Sequence, residues 1–377
     1  MTVDQIYTIL NTINGEVAQG TALVNEDLSN IVDVGTTVFS SSWQDNYVKA
    51  LIDQIGKMVF VDRPYRGFAP SIIRNNWEYG SILAKVRAAD FEAKPNPSWG
   101  LTAGTTVNQF EFNPPVIAQS FWNHKETWQI ECSFAEEQVK SAFKSVEQLN
   151  AFFAMVESTI DNSRTQKIDE LIQRAINNYM GEKIAVTNGV IPAGTLYQAD
   201  TGNTITKATA HTDPDFLRYL AYLILDLKDR LKVRSELYNT GGAGFPRHTP
   251  EEMLHTVLNS LYGRALDVYL ESSTFHNDLV DVGSYETVPF WQGSGTSYSV
   301  ADRTSIDITL ASDGSTVIQQ DYIVGVLFDR DAIALNNNNM RVTSSYNANG
   351  EYYNNFYKVE TSLFNDLAEN GIIITLD

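Results

Sequence analysis

The most extended apolar pattern in the chain predicts a long helix over residues 145–178. Ser145 and Gln148 form a capping box at its start, and apolar residues then recur at three- and four-residue spacing. The resulting stripe comprises Leu149, Phe152, Phe153, Val156, Ile160, Ile168, Leu171, Ile172 and Ala175, with a weak point at 162–166. Such a helix exceeds the average of about 11–12 residues roughly threefold, so we expect it to be a spine of the fold.

Three shorter patterns also favour helices. Residues 44–60 carry apolar side chains at helical spacing. A second helix is predicted to start at Asp213, with Pro214 in its first turn and basic residues near its end, where they complement the helix dipole. A third is predicted to start with a capping box of Thr249 and Glu252. Its expected packing residues are Leu254, Val257, Leu258 and Leu261.

The asparagine- and tyrosine-rich segment 336–360 predicts a β-hairpin. Asn349-Gly350 favours a two-residue type I′ turn, because both central positions of that turn require a positive φ. In this register three cross-strand pairs share one side of the hairpin, since side chains alternate with period two. The pairs are Tyr346–Tyr353, Val342–Tyr357 and Met340–Val359. Further short strands are predicted at 286–290, 305–311, 322–328 and 371–376.

Residues 77–134 predict an extended two-stranded excursion. They hold four of the six tryptophans and end in clean alternation of apolar and polar residues from Trp128 to Phe134. The middle, around 94–105, is rich in turn residues and lacks periodicity. A pair of strands this long is too thin to bury both faces, so we expect it to lie on something outside itself.

The first 45 residues predict an arm. A short amphipathic turn at Ile6 to Ile13 is followed by polar chain rich in glycine and serine. Such a segment buries little surface on its own, so we expect it to gain its order from neighbours.

Composition limits the classes of function. The 377 residues suit two or three lobes, and 43% hydrophobic residues are enough for a core. No apolar run reaches the ~18 residues of a membrane span, and the first residues lack the features of a secretory signal. Cys132 is the only cysteine, which fits a reducing compartment. The formal net charge of −19 argues against a nucleic-acid groove and against binding to an anionic membrane.

Candidate catalytic and metal-binding motifs are incomplete. Glu252 and His255 have the spacing of a di-iron ligand pair, but the sequence has no second Glu-x-x-His. The stretch GLTAG at 100–104 resembles a nucleophile elbow with threonine in place of serine, yet it lies in a turn-rich region. Five histidines and one cysteine without a CxxC motif do not predict a zinc site. We therefore predict no cofactor and no metal.

Two features leave an enzymatic or sugar-binding reading open. Asp329 and Asp331 could form an acid/base pair if both lie on one face of a strand. A structural ion pair through Arg330 and a solvated turn are the alternatives. The tryptophan-rich excursion could stack sugar rings, or it could serve packing or an interface.

The order of the elements resembles the major capsid proteins of tailed bacteriophages, which have the Hong Kong 97 fold. LFDRDAIAL at 327–335 is similar to the strand-turn-strand near the end of the family's chain, and the hairpin at 340–364 follows it as in relatives. Residues 42–60 and 142–176 resemble the family's arm-exit helix and spine helix, and 275–293 resembles part of its axial lobe. The similarity covers nearly the whole chain and is greatest to head proteins of short-tailed phages of Gram-positive hosts.

This resemblance implies an α+β protein with the Hong Kong 97 capsid fold. The expected parts are an N-terminal arm at 1–45, the first part of a peripheral lobe at 46–76, an extended β-hairpin loop at 77–134, the peripheral lobe with its spine helix at 135–180, an axial lobe at 181–325, and returning strands with the late hairpin at 326–377.

The resemblance also implies a structural protein of the virion, assembled in the host cytoplasm, rather than an enzyme. Copies are expected to form hexamers and pentamers of an icosahedral shell that encloses double-stranded DNA without binding it specifically. A separate scaffolding protein and the portal are the other expected partners, with no membrane. The residues expected at the assembly interface are Lys94, Trp99, Trp122, Tyr346 and Tyr353. The alternative is a phage tail protein that binds or cleaves carbohydrate through its aromatic residues and Asp329 with Asp331.

Overall fold

A computed structural model of the chain describes residues 2–62, 67–74, 83–89, 110–122, 125–186, 189–239, 245–273, 282–292 and 303–377, with isolated positions between 91 and 108. The chain divides into two compact units. The first comprises Met1–Tyr79, Lys125–Ile172 and Asn336–Ser362, and the second Gly80–His124, Gln173–Leu335 and Leu363–Asp377. None of the described helices is long and apolar enough to cross a membrane.

The described residues form eight α-helices and thirteen β-strands. The helices are α1 (Val3–Glu16), α2 (Ile31–Phe39), α3 (Gln44–Asp62), α4 (Glu136–Ala142), α5 (Val146–Ala185), α6 (Ala193–Thr201), α7 (Pro214–Lys232) and α8 (Ser260–Ser273). The strands are β1 (Ile73–Arg74), β2 (Leu83–Ala88), β3 (Ile117–Trp122), β4 (Glu126–Ala135), β5 (Val190–Pro192), β6 (Leu254–Asn259), β7 (Glu286–Val288), β8 (Ile306–Thr309), β9 (Val317–Gln320), β10 (Ile323–Asp329), β11 (Ile333–Asn347), β12 (Tyr352–Asn365) and β13 (Gly371–Thr375).

The predicted spine is confirmed as α5, which runs for 40 residues or about 60 Å. The Ser145 hydroxyl accepts a hydrogen bond from the backbone N–H of Gln148 at 3.2 Å, as the capping box requires. Every residue of the predicted apolar stripe is buried. Helices α3 and α7 also form where their patterns predict them, and Asp213 caps α7 by accepting from two backbone N–H groups.

The prediction that residues 1–45 bury little surface is wrong. Helices α1 and α2 and the turn between them contribute to the core of the first unit, with Leu10, Leu28 and Val38 fully buried. Gly35, part of the composition that suggested a flexible arm, instead permits close packing. A Cβ there would lie 2.6 Å from Cβ of Phe143, so only glycine lets α2 approach this closely.

The sheet of the first unit has the strand order β1-β11-β12-β4. Strands β12 and β4 pair antiparallel from Tyr352 opposite Ala135 to Thr361 opposite Glu126. One face of β12 is buried in the core, as the predicted parity requires, and the other is partly exposed. The residues of the predicted hairpin pairs that contact this core are Met340, Val342, Tyr353 and Tyr357.

The turn of this hairpin differs from the prediction. Four residues, 348–351, join the strands, and φ is positive at Glu351 rather than at Asn349 or Gly350. The side-chain Oδ1 of Asn347 accepts hydrogen bonds from the backbone N–H groups of Asn349 and Gly350, both at 3.1 Å. The predicted type I′ turn is therefore wrong, although both strands of the hairpin form as predicted. The Asn347 side chain organises the longer turn instead.

The two-stranded excursion of the structure is shorter than the predicted range 77–134. Strands β2 and β3 pair antiparallel as a two-stranded ribbon, from Leu83 opposite Trp122 to Ala88 opposite Ile117. The alternating segment Trp128 to Phe134 belongs to β4, whose partner is β12. Alternation correctly predicted a strand there, but it could not reveal which strand it pairs with.

The second unit is built around a five-stranded sheet of order β5-β13-β10-β6-β7. Its central strands β10 and β13 are buried on both faces. Helices α6, α7 and α8 contribute to the core beside this sheet, and two small separate pairs, β2–β3 and β8–β9, are the other described strand pairs of the unit. The short strands predicted at 286–290, 305–311, 322–328 and 371–376 are confirmed as β7, β8, β10 and β13.

The helix predicted from Thr249 through Leu261 is wrong. Residues 251–253 form a single 3₁₀ turn, Leu254–Asn259 is strand β6, and the helix α8 starts only at Ser260. Strand β6 lies between β10 and β7, and its last four residues are fully buried. Leu254, Val257, Leu258 and Leu261 have the spacing of a helix, and periodicity alone cannot distinguish a short buried strand from a helix segment.

Candidate assembly surface

The β2–β3 ribbon has one apolar face that none of the described residues of its unit covers. Side chains alternate across the ribbon, so Val86, Ile117 and Phe121 point to the same side. Their exposed fractions are 62%, 61% and 62%. We call this side the outer face of the ribbon. Apolar side chains of this size on a folded subunit usually mark a site of interaction.

The apolar surface continues beyond the strands into the chain that leads to β3. Phe110 and Phe112 are 84% and 86% exposed, and Val116 is also exposed. Phe91, on the chain that leaves β2, is exposed as well. Seven large apolar side chains on one excursion are therefore open to solvent. They are Val86, Phe91, Phe110, Phe112, Val116, Ile117 and Phe121.

The opposite, inner face of the ribbon is charged and buried. Arg87 forms an ion pair with Asp366 and lies 3.6 Å from Glu369. Lys85 binds the same two carboxylates at 3.0 and 2.7 Å. Burial lowers the pKa of both Lys85 and Arg87, and the carboxylate of Glu369 acts against that effect. The inner face thus fixes the ribbon to the loop 366–370 of its own unit.

That loop is itself held by a buried lysine. Lys183 is completely buried and its Nζ donates to the carbonyl of Tyr238 at 2.7 Å and to that of Leu367 at 3.5 Å. The backbone N–H of Gly371 donates to the same Tyr238 carbonyl at 3.0 Å. Burial lowers the pKa of Lys183 to about 7. Lys183 therefore orders the loop 366–370 that receives the cations of the ribbon.

Of the residues predicted at the interface, three belong to the excursion. Lys94 lies exposed near the tip, at a position without regular secondary structure. Trp99 lies outside the described residues. Trp122 lies on the inner face, where its Nε1 donates to the carbonyl of Asn365 at 3.2 Å and its ring contacts Phe364 with centroids 5.8 Å apart. Trp122 thus has contacts within its own unit, and its interface role stays a prediction.

The other two predicted residues face each other on the late hairpin. The rings of Tyr346 and Tyr353 have centroids 4.9 Å apart. Tyr353 is only 2% exposed and donates its hydroxyl to Asp45 at 2.7 Å, so its ring has almost no free surface for a neighbour. Tyr346 is 37% exposed and donates to Glu136 at 2.7 Å. This hydrogen bond raises the pKa of Tyr346 to about 12.

The two aspartates considered as an acid/base pair serve the turn between β10 and β11. Asp329 Oδ2 accepts from the Thr249 hydroxyl at 2.9 Å, and its Oδ1 accepts from the backbone N–H of Asp331 at 2.8 Å. Asp329 ends its strand and Asp331 lies in the turn, so they do not share a strand face. Burial raises the pKa of Asp329, but its hydrogen bonds give the carboxylate a structural role.

The outer face was not predicted from the sequence. Trp122 was expected at the interface, yet Trp122 and Phe121 are neighbours and therefore lie on opposite faces of β3. The available signal was the run FEFNPPVIAQSFW at 110–122, in which several large apolar residues precede the strand that pairs back to 83–88.

Comparison with known proteins gives a consistent family. The sequence matches the family described as Phi29-like phage major capsid protein over residues 6–375. A chain in the capsid structure of Staphylococcus phage Andhra is 11% identical, with 81% of this chain and 83% of that chain covered and a TM-score of 0.51. A chain in the structure of the head fibre and inner core protein gp22 of native bacteriophage P68 is 11% identical, with the same coverage and a TM-score of 0.53. No curated protein sequence matches. The two structures establish a shared fold.

Proposed function

Because the chain belongs to the Phi29-like phage major capsid protein family, we propose that its copies assemble into hexamers and pentamers and close an icosahedral shell around the double-stranded DNA of the phage. As a major capsid protein, it is a structural component of the virion. We propose that it has no enzymatic activity and acts through the geometry of its contacts with other copies.

The observation that carries the proposed geometry is the contrast between the two faces of the β2–β3 ribbon. Arg87 and Lys85 fix the inner face within the subunit, whereas Val86, Ile117 and Phe121 on the outer face are exposed. Burial of apolar surface stabilises association by roughly 25 cal/mol per Å² before the costs of binding. The outer face and the chain at 110–116 therefore lie on a neighbouring subunit in the shell.

Other partners follow from the needs of such a shell. A separate scaffolding protein would set the curvature during assembly in the host cytoplasm, and a portal would occupy one opening. The formal charge of −19 gives the wall little tendency to hold DNA phosphates, which would leave the packaged DNA free to move.

The test replaces the two most exposed phenylalanines of the excursion. Phe110→Ser combined with Phe112→Ser should leave thermal unfolding unchanged, because both side chains are exposed in the subunit. It should reduce closed particles in negative-stain electron microscopy by roughly tenfold or more, since aromatic anchors dominate protein interfaces. Phe110→Leu with Phe112→Leu keeps the apolar character and should assemble.

Normal shells from the serine variant would contradict the proposed role of the excursion. The alternative, a carbohydrate-active tail protein, predicts instead that the wild-type protein forms no shells and binds or cleaves a glycan. The same preparation can be screened for both outcomes.

A further inference from the structure

The exposed side of the sheet in the first unit contains a groove with two basic side chains. Its volume is about 420 Å³, and it crosses strands β4, β12 and β11. Arg341 from β11 and Lys358 from β12 line it, together with Gln129 and Asn339. We call it the Arg341–Lys358 groove. The proposed use of the excursion does not involve it.

The two cations of this groove have no carboxylate partner among the described residues, whereas three lysines elsewhere in the first unit do have one. Lys140 pairs with Glu136 at 2.6 Å, Lys167 with Glu170 at 3.0 Å, and Lys125 with Glu360 at 2.5 Å. Glu360 lines the groove as well, but its carboxylate is already paired with Lys125. The contact found for Lys358 is with the Phe356 ring, 5.9 Å from its Nζ to the ring centroid.

Cations of any kind are scarce in this part of the sequence. Residues 281–377 contain 13 aspartates and glutamates but four lysines and arginines, which gives a balance of −9. Two of those four cations, Arg341 and Lys358, lie in one groove. A second copy of the chain presents a strongly acidic surface, and like charges across an interface cost several kcal/mol. A basic groove is a place where an acidic copy can approach without that cost.

We propose that the Arg341–Lys358 groove receives one or two aspartate or glutamate side chains of a second copy of this chain. Arginine presents a planar fork of N–H donors that matches a carboxylate, and lysine adds a compact charge. The Nε2 amide of Gln129 already donates to Glu131 Oε1 at 2.6 Å, and the amide of Asn339 can donate a further hydrogen bond to the same incoming carboxylate. This inference rests on the proposed shell function and identifies a second contact that is polar, unlike the apolar excursion.

A nucleic acid fits the groove less well. A phosphate backbone is a continuous line of negative charge, and its binding needs an extended basic stripe. The groove has two unmatched cations and is bordered by Glu360, while Glu131 lies on the same exposed side of β4. Two cations match one or two point charges, which is what a neighbouring subunit offers.

The direct test is zero-length crosslinking, which joins a lysine amine to a carboxylate that touches it. Shells assembled from an equal mixture of ¹⁴N- and ¹⁵N-labelled copies are treated with a carbodiimide and digested. We expect the peptide that contains Lys358 to be joined to an acidic peptide in all four isotope combinations, which only a contact between copies produces. The unassembled protein should lack this product.

A charge reversal gives an independent readout. Arg341→Glu should reduce the yield of closed shells roughly tenfold, because it places a carboxylate opposite a carboxylate. Arg218→Glu changes the net charge equally at an exposed arginine that pairs with Asp215, and it should assemble normally. If Arg341→Glu does not fold, the crosslinking of wild-type shells still decides the question.

Three outcomes would overturn the inference. They are a Lys358 that stays unmodified in shells, a crosslink confined to unmixed isotope pairs, and binding of short double-stranded DNA by the wild-type protein that Arg341→Glu abolishes. In each case wild-type shells would still form, so the proposed function would stand. Failure of the wild-type protein to form shells at all would instead reject the function.

Discussion

The late hairpin β11–β12 and the β2–β3 ribbon are both antiparallel strand pairs with aromatic side chains, but their apolar faces have opposite surroundings. The hairpin buries Tyr353 and Tyr357 in the core of its own unit. The ribbon leaves Ile117 and Phe121 in solvent and buries charges instead. Alternation of apolar residues therefore predicts a strand in both cases, yet it does not reveal whether the apolar face serves folding or assembly.

The hairpin shows what a face for folding requires. Tyr357 is completely buried, and its hydroxyl donates to the carbonyl of Ile52 at 2.9 Å. Its ring lies directly against Gly56 of α3, where a Cβ would come within 1.9 Å of ring carbon Cε1. Helix α3 and the hairpin therefore pack so closely that even one additional carbon atom at Gly56 would clash with the ring. None of the described residues packs against Phe121 in this way, so truncating Tyr357 and truncating Phe121 should have different effects on stability.

The largest expected effect is therefore that of Tyr357→Ala. It removes a fully buried aromatic side chain and should lower the free energy of unfolding by about 3–5 kcal/mol. Phe121→Ala is the matched control at an exposed site and should change that free energy by no more than about 0.5 kcal/mol. Denaturant unfolding of the unassembled proteins measures both. Equal losses in the two variants would remove the distinction between the regions.

The inner face of the ribbon provides the next largest effect. Arg87→Met should lower the free energy of unfolding by about 3 kcal/mol, because Asp366 and Glu369 lose a buried partner. Lys85→Met should cost less, since Lys85 is more exposed than Arg87. If Arg87→Met unfolds like the wild-type protein, the charged cluster does not hold the ribbon.

The buried lysine under the same cluster predicts a pH dependence. Burial lowers the pKa of Lys183 from 10.5 to about 7 in the folded state. Below pH 7 Lys183 is protonated in both the folded and the unfolded state, so the folded state bears the full cost of burying its charge. Between about pH 7 and 10.5 the unfolded state binds the extra proton, so stability should rise with pH by up to about 1.4 kcal/mol per unit.

Lys183→Met removes that ionisable group. The wild-type free energy of unfolding should therefore increase relative to that of Lys183→Met as the pH is raised from 7 to 10.5. Denaturant titrations at four or five pH values measure the difference. Parallel curves for the two proteins would show that Lys183 keeps an ordinary pKa and does not order the loop 366–370 as a neutral amine.

The smallest effect is expected at the exposed end of the hairpin. Two hydrogen bonds lower the pKa of Glu136, the larger effect coming from Lys140 and the next largest from Tyr346. Tyr346→Phe should raise that pKa towards its usual value while the protein still folds and melts almost as before. Carboxyl ¹³C titration by NMR of the unassembled protein measures the change. An unaltered Glu136 titration would mean that the Tyr346 hydroxyl bonds elsewhere in solution.

The elements that could be predicted from sequence are those whose signals are local. Helix α5 has its cap at Ser145 and a complete apolar stripe within its own residues. In the late hairpin, apolar residues alternate with polar ones in the same register on both sides of the turn. Helix α2 was missed because Gly35 suggests a loop unless its contact with Phe143, far along the chain, is known.

The features that could not be predicted from the sequence depend on contacts with residues that are distant in sequence. Strand β6 carries the apolar spacing of a helix, and only its place between β10 and β7 makes it a strand. The outer face of the ribbon could not be assigned because Phe121 and Trp122 are adjacent, and the inner side is determined by where Asp366 and Glu369 lie. The Arg341–Lys358 groove likewise joins residues from three strands.

The central claim is that the outer face and the tip of the excursion serve assembly and not folding, and replacing the tip tests that claim most directly. Residues 94–104 are exchanged for a short Gly-Ser turn, which shortens the chain between β2 and β3 at small entropic cost. Melting of the unassembled protein and negative-stain images of the assembled product are recorded together. The account predicts wild-type melting and no closed shells. Closed shells of normal size from the shortened chain would contradict it.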